Sequence, residues 1–358
     1  MTSGRIQGTV RIVGAGLIGT SIGLALTKLG IDVVLEDSSP ANVRLASDYG
    51  AGKPSDASDQ PNLIVVCVPP DVTARVVAAE LKAFPNAVVT DVASVKSAIL
   101  DELAATAADL SRYVGSHPMA GREKGGASSG RADIFVGRPW VIAEHPQASS
   151  LSIKKVEELA LDLQSTPVRM TALEHDRAVA LVSHVPQLVS SIMASRLIDA
   201  RGVELAGQGL RDTVRIAASD PKLWVQILGA NAGEVVSILD EFADDLGAVI
   251  EALRNIDKSG SLAKLDQTIA NGNRGVEQIP GKHGSRNSQF SSFVVMIDDQ
   301  PGALARLLTE IGEIGINVED LKLEHSPGAP IGLVELQVIP SMGEKLTKDL
   351  TERGWRFA

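Results

Sequence analysis

A single cysteine, Cys67, stands in 358 residues, which excludes an intramolecular disulfide and a cysteine-built zinc cage. Aromatic side chains are scarce. Two Tyr, three Trp and six Phe leave little for the stacking platforms that grip single-stranded nucleic acid. Positive charge is outweighed, with 34 Lys and Arg against 44 Asp and Glu for a net charge of −10, so the long-range field repels phosphate backbones and anionic membrane surfaces. No run of about 18 apolar residues occurs, and Met1–Gly14 lacks the basic segment and apolar core of a secretory leader. The expectation is a cytoplasmic protein with no nucleic-acid partner, no membrane partner and no metal site.

What is present is 44% hydrophobic content over a length that suits two or three domains, each able to bury its own core. The first third alternates β-rich runs (Thr9–Val13, Asp32–Leu35, Leu63–Val68, Ala87–Val92) with helix-length stretches (Leu17–Gly30, Ala41–Tyr49, Val72–Phe84, Val95–Ala107). That alternation predicts an α/β, Rossmann-type doubly wound parallel sheet, and the unbroken apolar run Leu63–Val68 fits a strand covered on both faces. From Leu151 to Leu253 the β-rich runs nearly vanish, and Val235, Ile238, Leu239, Phe242, Leu246 and Ile250 recur at helical spacing, so the middle domain is expected to be all-α. Asn271–Ser292 turns Gly-, Asn- and Ser-rich around Gly281–Gly284 and reads as a linker. Strands at Phe293–Ile297, Ile316–Glu324 and Gly332–Ile339, with helices at Ala303–Gly312 and Glu344–Gly354, predict a C-terminal α+β module. The expected domains are residues 1–147, 148–270 and 290–358, with the linker at 271–289.

Gly14-Ala15-Gly16-Leu17-Ile18-Gly19 follows a strand and opens a helix, the context that makes this spacing a dinucleotide-binding turn. Gly14 permits the tight turn, Gly16 lets a pyrophosphate reach the backbone, and Gly19 allows close helix–strand packing, while the helix N-terminus faces the anion. The second strand ends at Glu36-Asp37, about 20 residues on, where a carboxylate accepts from a ribose 2′-hydroxyl. Asp37 is chosen over Glu36 because it begins the turn, and the nearest Arg downstream is Arg44, so NAD is favoured over NADP. Cofactor contacts are placed at Gly14, Gly16, Leu17, Ile18, Gly19 and Asp37.

A nicotinamide enzyme that oxidises an alcohol needs a proton acceptor, and a neutral imidazole suits pH 7. His117 lies in Gly115-Ser116-His117-Pro118-Met119-Ala120-Gly121, after an expected strand at Arg112–Val114. A lone His in a Gly/Pro loop is more often structural. His175–Ala200 reads as one helix bent at Pro186, with Ser183 and Gln187 on one face and His184 either lining a pocket or satisfied by a carbonyl. Arg215, flanked by Val214, Ile216 and Ala217, calls for a partner: a substrate carboxylate, or Asp212 or Asp220.

With these segments in this order the chain resembles the prephenate/arogenate dehydrogenases. The resemblance rests on Gly14–Gly19 with Ser21, Asp91-Val92-Ala93-Ser94-Val95-Lys96, Gly115–Gly121, His175-Asp176-Arg177, Ser183-His184-Val185-Pro186, and Arg215–Pro221 with Trp224, across residues 9–255. It implies NAD-dependent oxidative decarboxylation of prephenate to 4-hydroxyphenylpyruvate in tyrosine biosynthesis, or of arogenate to tyrosine. In that reading His117 takes the ring-hydroxyl proton, Ser94 orients the hydroxyl or the imidazole, Arg215 pairs with a carboxylate, and Ser183 lines the pocket. Many members carry a His where this chain has Gln187, which leaves the choice between prephenate and arogenate to this position. The last 65 residues resemble an ACT regulatory domain, of ferredoxin-like fold, through Asp299–Leu304 and Gly315–Val318. This implies a tyrosine effector site at Gly302, Ala303 and Asn317, and a homodimer.

Two other readings compete. A β-hydroxyacid dehydrogenase places a catalytic Lys on a middle-domain helix, but between Thr171 and Ala270 the chain offers only Lys222, Lys258 and Lys264. A non-catalytic sensor of NAD and an amino acid would have no use for His117, Ser94 and Arg215.

Overall fold

In the computed structural model, residues 4–106, 108–121, 125–279, 290–325 and 331–358 are described. The chain divides into two compact units, Met1–Ala200 with Thr213–Phe242, and Arg201–Asp212 with Ala243–Ala358.

The first unit is built on β1 (Thr9–Val13), β2 (Val33–Glu36), β3 (Lys53–Pro54), β4 (Pro61–Val66), β5 (Val88–Asp91), β6 (Tyr113–Pro118), β7 (Pro139–Glu144) and β8 (Thr166–Thr171). The eight strands form one sheet in the order β3-β2-β1-β4-β5-β6-β7-β8. Alternate residues of β4 enter different cores. Leu63 and Val65 pack with Ile22, Leu26 and Leu159, whereas Ile64 and Val66 pack with Val77, Leu81 and Leu103. Helices therefore cover both faces: α1 (Leu17–Lys28) and α5 (Ser150–Asp162) on one, α3 (Pro70–Ala83) and α4 (Ser97–Ala104) on the other, while α2 (Pro40–Asp48) joins β2 to β3. The strand order reverses between β1 and β4, and such a switch point opens a crevice at the strands' carboxyl ends.

The sheet departs from all-parallel at one place, because β7 runs antiparallel to β6. Between these strands the described chain holds one short 3₁₀ turn, Ala127–Ser129, and no crossover helix, so it returns beside β6 in the opposite sense. β8 then pairs parallel with β7, carrying the sheet beyond residue 147 to Thr171. Sequence patterning missed β8 because, as an edge strand with Pro167 and Arg169, it shows no buried apolar run.

Helices follow: α6 (Ala172–Val179), a π-helical turn Ala180–His184, α7 (Val185–Ser195), α8 (Gln208–Val214), α9 (Pro221–Ala230), α10 (Ala232–Arg254) and α11 (Ser261–Val276). The expected single helix over His175–Ala200 is thus divided. The widened π-turn precedes Pro186, which sits in the first turn of α7 where its missing N–H costs least. Ala172–Ser195 has the length and hydropathy of a membrane span, but its His175, Asp176 and His184 are buried on protein partners.

In the second unit β9 (Ser291–Asp298), α12 (Ala303–Glu313), β10 (Asp320–His325), β11 (Ile331–Val338), α13 (Gly343–Glu352) and β12 (Arg356–Phe357) make an antiparallel sheet in the order β10-β11-β9-β12. This is the β-α-β-β-α-β arrangement of ferredoxin-like modules. Its core gathers Val295, Ile297, Leu307, Ile311, Val334, Leu336, Leu346 and Leu350. The strand expected from Ile316 begins at Asp320, and β12 is additional to the expected set. Of the expected linker, residues 271–276 lie in α11, and Gly281–Gly284 fall outside the described residues.

Candidate active site

The Gly-rich turn joins β1 to α1. Gly14 has φ +107°, and a Cβ there would lie 2.4 Å from the Cys67 carbonyl oxygen, so only glycine fits. At Gly19 a Cβ would lie 1.9 Å from the Gly14 carbonyl oxygen, which holds α1 against the turn. Gly16 differs: a Cβ there would meet no protein atom within 4 Å. Its open side is the free space a pyrophosphate needs beside the N-terminus of α1, where Leu17 and Ile18 supply the first N–H groups, which have no acceptor within the helix. Asp37 is tied into the same turn, its Oδ2 accepting from the Ala15 N–H at 2.7 Å and its Oδ1 from the Ser39 N–H at 2.8 Å. Oδ1 also accepts from the Asn42 side-chain amide at 3.3 Å, so Oδ2 is the oxygen that keeps a lone pair for a ribose hydroxyl. Glu36 is exposed, and it accepts from the Ser55 hydroxyl at 2.6 Å. These residues suit a dinucleotide with an unphosphorylated ribose.

His117 lies within β6, near its carboxyl end, and not in a loop after a strand at Arg112–Val114. Its Nδ1 is 2.9 Å from His175 Nε2, and His175 Nδ1 is 2.8 Å from Asp176 Oδ1. Asp176 also accepts the backbone N–H groups of Lys96 at 2.9 Å and Ser97 at 2.7 Å, at the start of α4. Burial works against the Asp176 carboxylate, but the bonds from His175, Ser97 and Lys96 hold it below its usual range. His117 is pushed well below the ordinary imidazole value by burial, then by His175, Lys96 and His184. It is therefore neutral at pH 7, as a proton acceptor must be.

Beneath this row lies a second buried set. Lys96, fully buried, is ion-paired to Asp91, whose other oxygen accepts from the Tyr113 hydroxyl at 2.7 Å. Asp91 also accepts the Ala93 N–H at 2.9 Å, which fixes the turn carrying Ser94. Ser94 is half-buried, two residues before Lys96.

Ser183 lies half-exposed in the π-turn, while its neighbour His184 is buried and accepts on Nδ1 from the Asn231 side chain at 3.1 Å. Asn231 also donates to the Asp176 carbonyl at 2.8 Å. Burial lowers the His184 pKa to about 4, against the opposing pull of Asp176. Gln187 is buried, and its amide donates to Ser219 Oγ at 2.8 Å and Ser191 Oγ at 3.2 Å. Arg215, in the 3₁₀ turn Arg215–Ala217, is exposed, and among the described residues it pairs with no acid. Asp212 accepts from Gln208 and Asp220 caps α9, so neither internal partner is used. Gly302, at φ +90°, caps α12, which Ala303 begins, and Asn317 donates to Glu319 at 2.7 Å.

Sequence motifs assign no role to His175, Asp176, Lys96 or Asn231. The adjacent pair His175-Asp176 was visible, but nothing in spacing alone brings residue 175 to residue 117.

The nucleotide-binding domain of prephenate dehydrogenase matches residues 22–168, and the dimerization domain of prephenate dehydrogenase matches residues 171–267. The probable prephenate dehydrogenase NovF of Streptomyces niveus is 35% identical over 356 residues, covering 97% of this chain and 98% of that protein. The chain belongs to the prephenate dehydrogenase family. Prephenate dehydrogenase of Bacillus subtilis is 22% identical, covering 89% of each chain. The fold is also that of Aquifex aeolicus prephenate dehydrogenase, solved with hydroxyphenyl propionate and NAD+, at a TM-score of 0.67 and 23% identity over 75% of this chain and 98% of that one. The nucleotide-binding match begins within α1 and runs through β2–β7 into β8, and α6–α11 fall almost wholly within the dimerization match.

Proposed function

We propose that this protein is an NAD-dependent prephenate dehydrogenase, which oxidatively decarboxylates prephenate to 4-hydroxyphenylpyruvate in the cytoplasm. The observation that carries the reading is His117: neutral at pH 7, anchored through Nδ1, and with Nε2 unpartnered among the described residues. NAD, when bound, supplies the hydride acceptor, and Gly14, Gly16, Leu17, Ile18, Gly19 and Asp37 hold it. His117 takes the ring-hydroxyl proton as the C–O bond becomes a carbonyl. The ring carboxylate then leaves as CO2, its bonding electrons make the ring aromatic, and His117 returns the proton to the phenolate oxygen. Ser94 orients the hydroxyl, the exposed Arg215 guanidinium pairs with a substrate carboxylate, and Ser183 and Gln187 line the side-chain end. Alignment and electrostatics suffice, because aromatisation drives the carbon chemistry.

The protein acts as a homodimer. Phe242, Leu246, Ile250 and Leu253 of α10 are exposed at helical spacing, an apolar stripe within the segment that matches a dimerization domain. The C-terminal module is read as ACT-like, with tyrosine as effector at Gly302, Ala303 and Asn317. The deciding assay is NADH or NADPH formation with prephenate and arogenate, each with NAD and NADP. Turnover of prephenate with NAD is expected. Turnover of arogenate alone would assign the opposite specificity to Gln187, and equal use of NADP would remove the role given to Asp37.

A further inference from the structure

In the first unit, half-buried His117 and the buried His175 and Asp176 form a row, and the two ends of the row differ in kind. Asp176 is acceptor-only when ionised. Three N–H groups converge on it, from His175, Lys96 and Ser97. A carboxylic acid proton would have no place among them.

His175 Nδ1 must therefore carry a hydrogen. In the neutral ring this leaves Nε2 as an acceptor, and the group 2.9 Å from it, His117 Nδ1, must be the donor. The His117 hydrogen therefore sits on Nδ1, and its free lone pair sits on Nε2. We infer that His175 and Asp176 are positioning residues that fix the tautomer of His117, so that Nε2 is the atom that receives the substrate proton.

The surroundings agree. The charged and titratable groups facing the row are Lys96 at the start of α4, paired with Asp91 of β5; Tyr113 of β6, hydrogen-bonded to that same carboxylate; and His184 of the π-turn, bonded to Asn231. None of them reaches the His117 ring with a hydrogen bond among the described residues, so none competes with His175 for Nδ1. When His117 becomes an imidazolium, its Nδ1–H still points along the row toward the Asp176 carboxylate, which stabilises the new charge. The imidazole rings cross at 77° with centroids 5.1 Å apart, edge to face, so the contact is the hydrogen bond and not a stack.

The inference rests on the proposed reaction only for its purpose, and the tautomer can be measured without turnover. In the full-length protein with ¹⁵N-labelled histidine, long-range ¹H–¹⁵N correlation spectra at pH about 7.5 should show His117 protonated on Nδ1 and bare on Nε2, its signals assigned by their loss in His117→Asn. A wild-type His117 protonated on Nε2 overturns the inference. For His175→Leu, which leaves Nδ1 without an acceptor, the spectrum should move to the Nε2–H form and kcat should fall at least about 10²-fold with KM nearly unchanged. His175→Gln, whose carbonyl can accept from Nδ1, should restore the Nδ1–H form and part of kcat. A His175→Leu enzyme that folds, keeps the Nδ1–H form and keeps its kcat also overturns it. If neither prephenate nor arogenate is turned over, the spectra alone still decide the tautomer while the proposed function fails.

Discussion

At the scale of single residues the site is a problem in proton placement. His117 and Arg215 do different work, and their variants should separate. His117→Asn removes a proton acceptor, so kcat should fall roughly 10²–10⁴-fold with KM little changed. Arg215→Ala removes a clamp, so KM should rise, and steady-state kinetics on both variants distinguishes the two. Interchanged effects would mean the roles are reversed. Acid sensitivity follows from the same burial. His117 and His184 are held below their ordinary value of 6.5, His184 at about 4. Between those limits the unfolded chain binds protons that the folded chain refuses, so stability rises with pH through this window and is lost as pH falls from 6.5 toward 4. The melting temperature should fall on acidification across that range, and His184→Gln should flatten the fall. The acid limb of kcat should lie below 6.5, because His117 is kept neutral by its surroundings.

At the scale of elements, three local devices carry the site: the Gly-rich turn, the π-turn and the capped start of α4. The glycines of the first are not equivalent. Gly19→Ala puts a methyl group against the Gly14 carbonyl oxygen at 1.9 Å and should lower the melting temperature by several degrees or prevent folding. Gly16→Val puts its side chain into open space, so the melting temperature should stay near wild type while NAD affinity drops at least about tenfold by calorimetry or fluorescence titration. A Gly16→Val protein that binds NAD normally would show that the pyrophosphate does not approach this turn. The strand–turn–helix pattern was legible in the sequence because its glycines sit at fixed spacing. The π-turn was not, because Pro186 announces a break in the helix without saying which turn of helix widens to absorb it.

At the scale of the molecule, the proposed dimer and the proposed effector site can each be tested. The α10 stripe should bury against a second copy, so light scattering should give about twice 37.5 kDa, and Leu246→Asp with Ile250→Asp should return the mass to 37.5 kDa. The C-terminal module has a core of its own, and removing residues 290–358 tests its role. Loss of tyrosine inhibition with activity retained is the expected result, whereas unchanged inhibition would place the effector site elsewhere. The module's alternation was readable in β11, where Gly332, Val334, Leu336 and Val338 all face inward, but β12, two residues long, carries no period to read.

The sequence by itself determined the elements whose signals are local: the apolar strands of the sheet, the glycine spacing of the turn, Asp37 at the end of β2, and the order of segments that marks the family. Tertiary structure alone decided what depends on approach between distant segments. β6 and α6 had to meet before His117 could find His175, across 58 positions, and α4 had to start beside α6 before Asp176 could accept from Lys96 and Ser97. Hydrogen bonds act over about 3 Å of space whatever the separation along the chain, and a sequence pattern records separation along the chain.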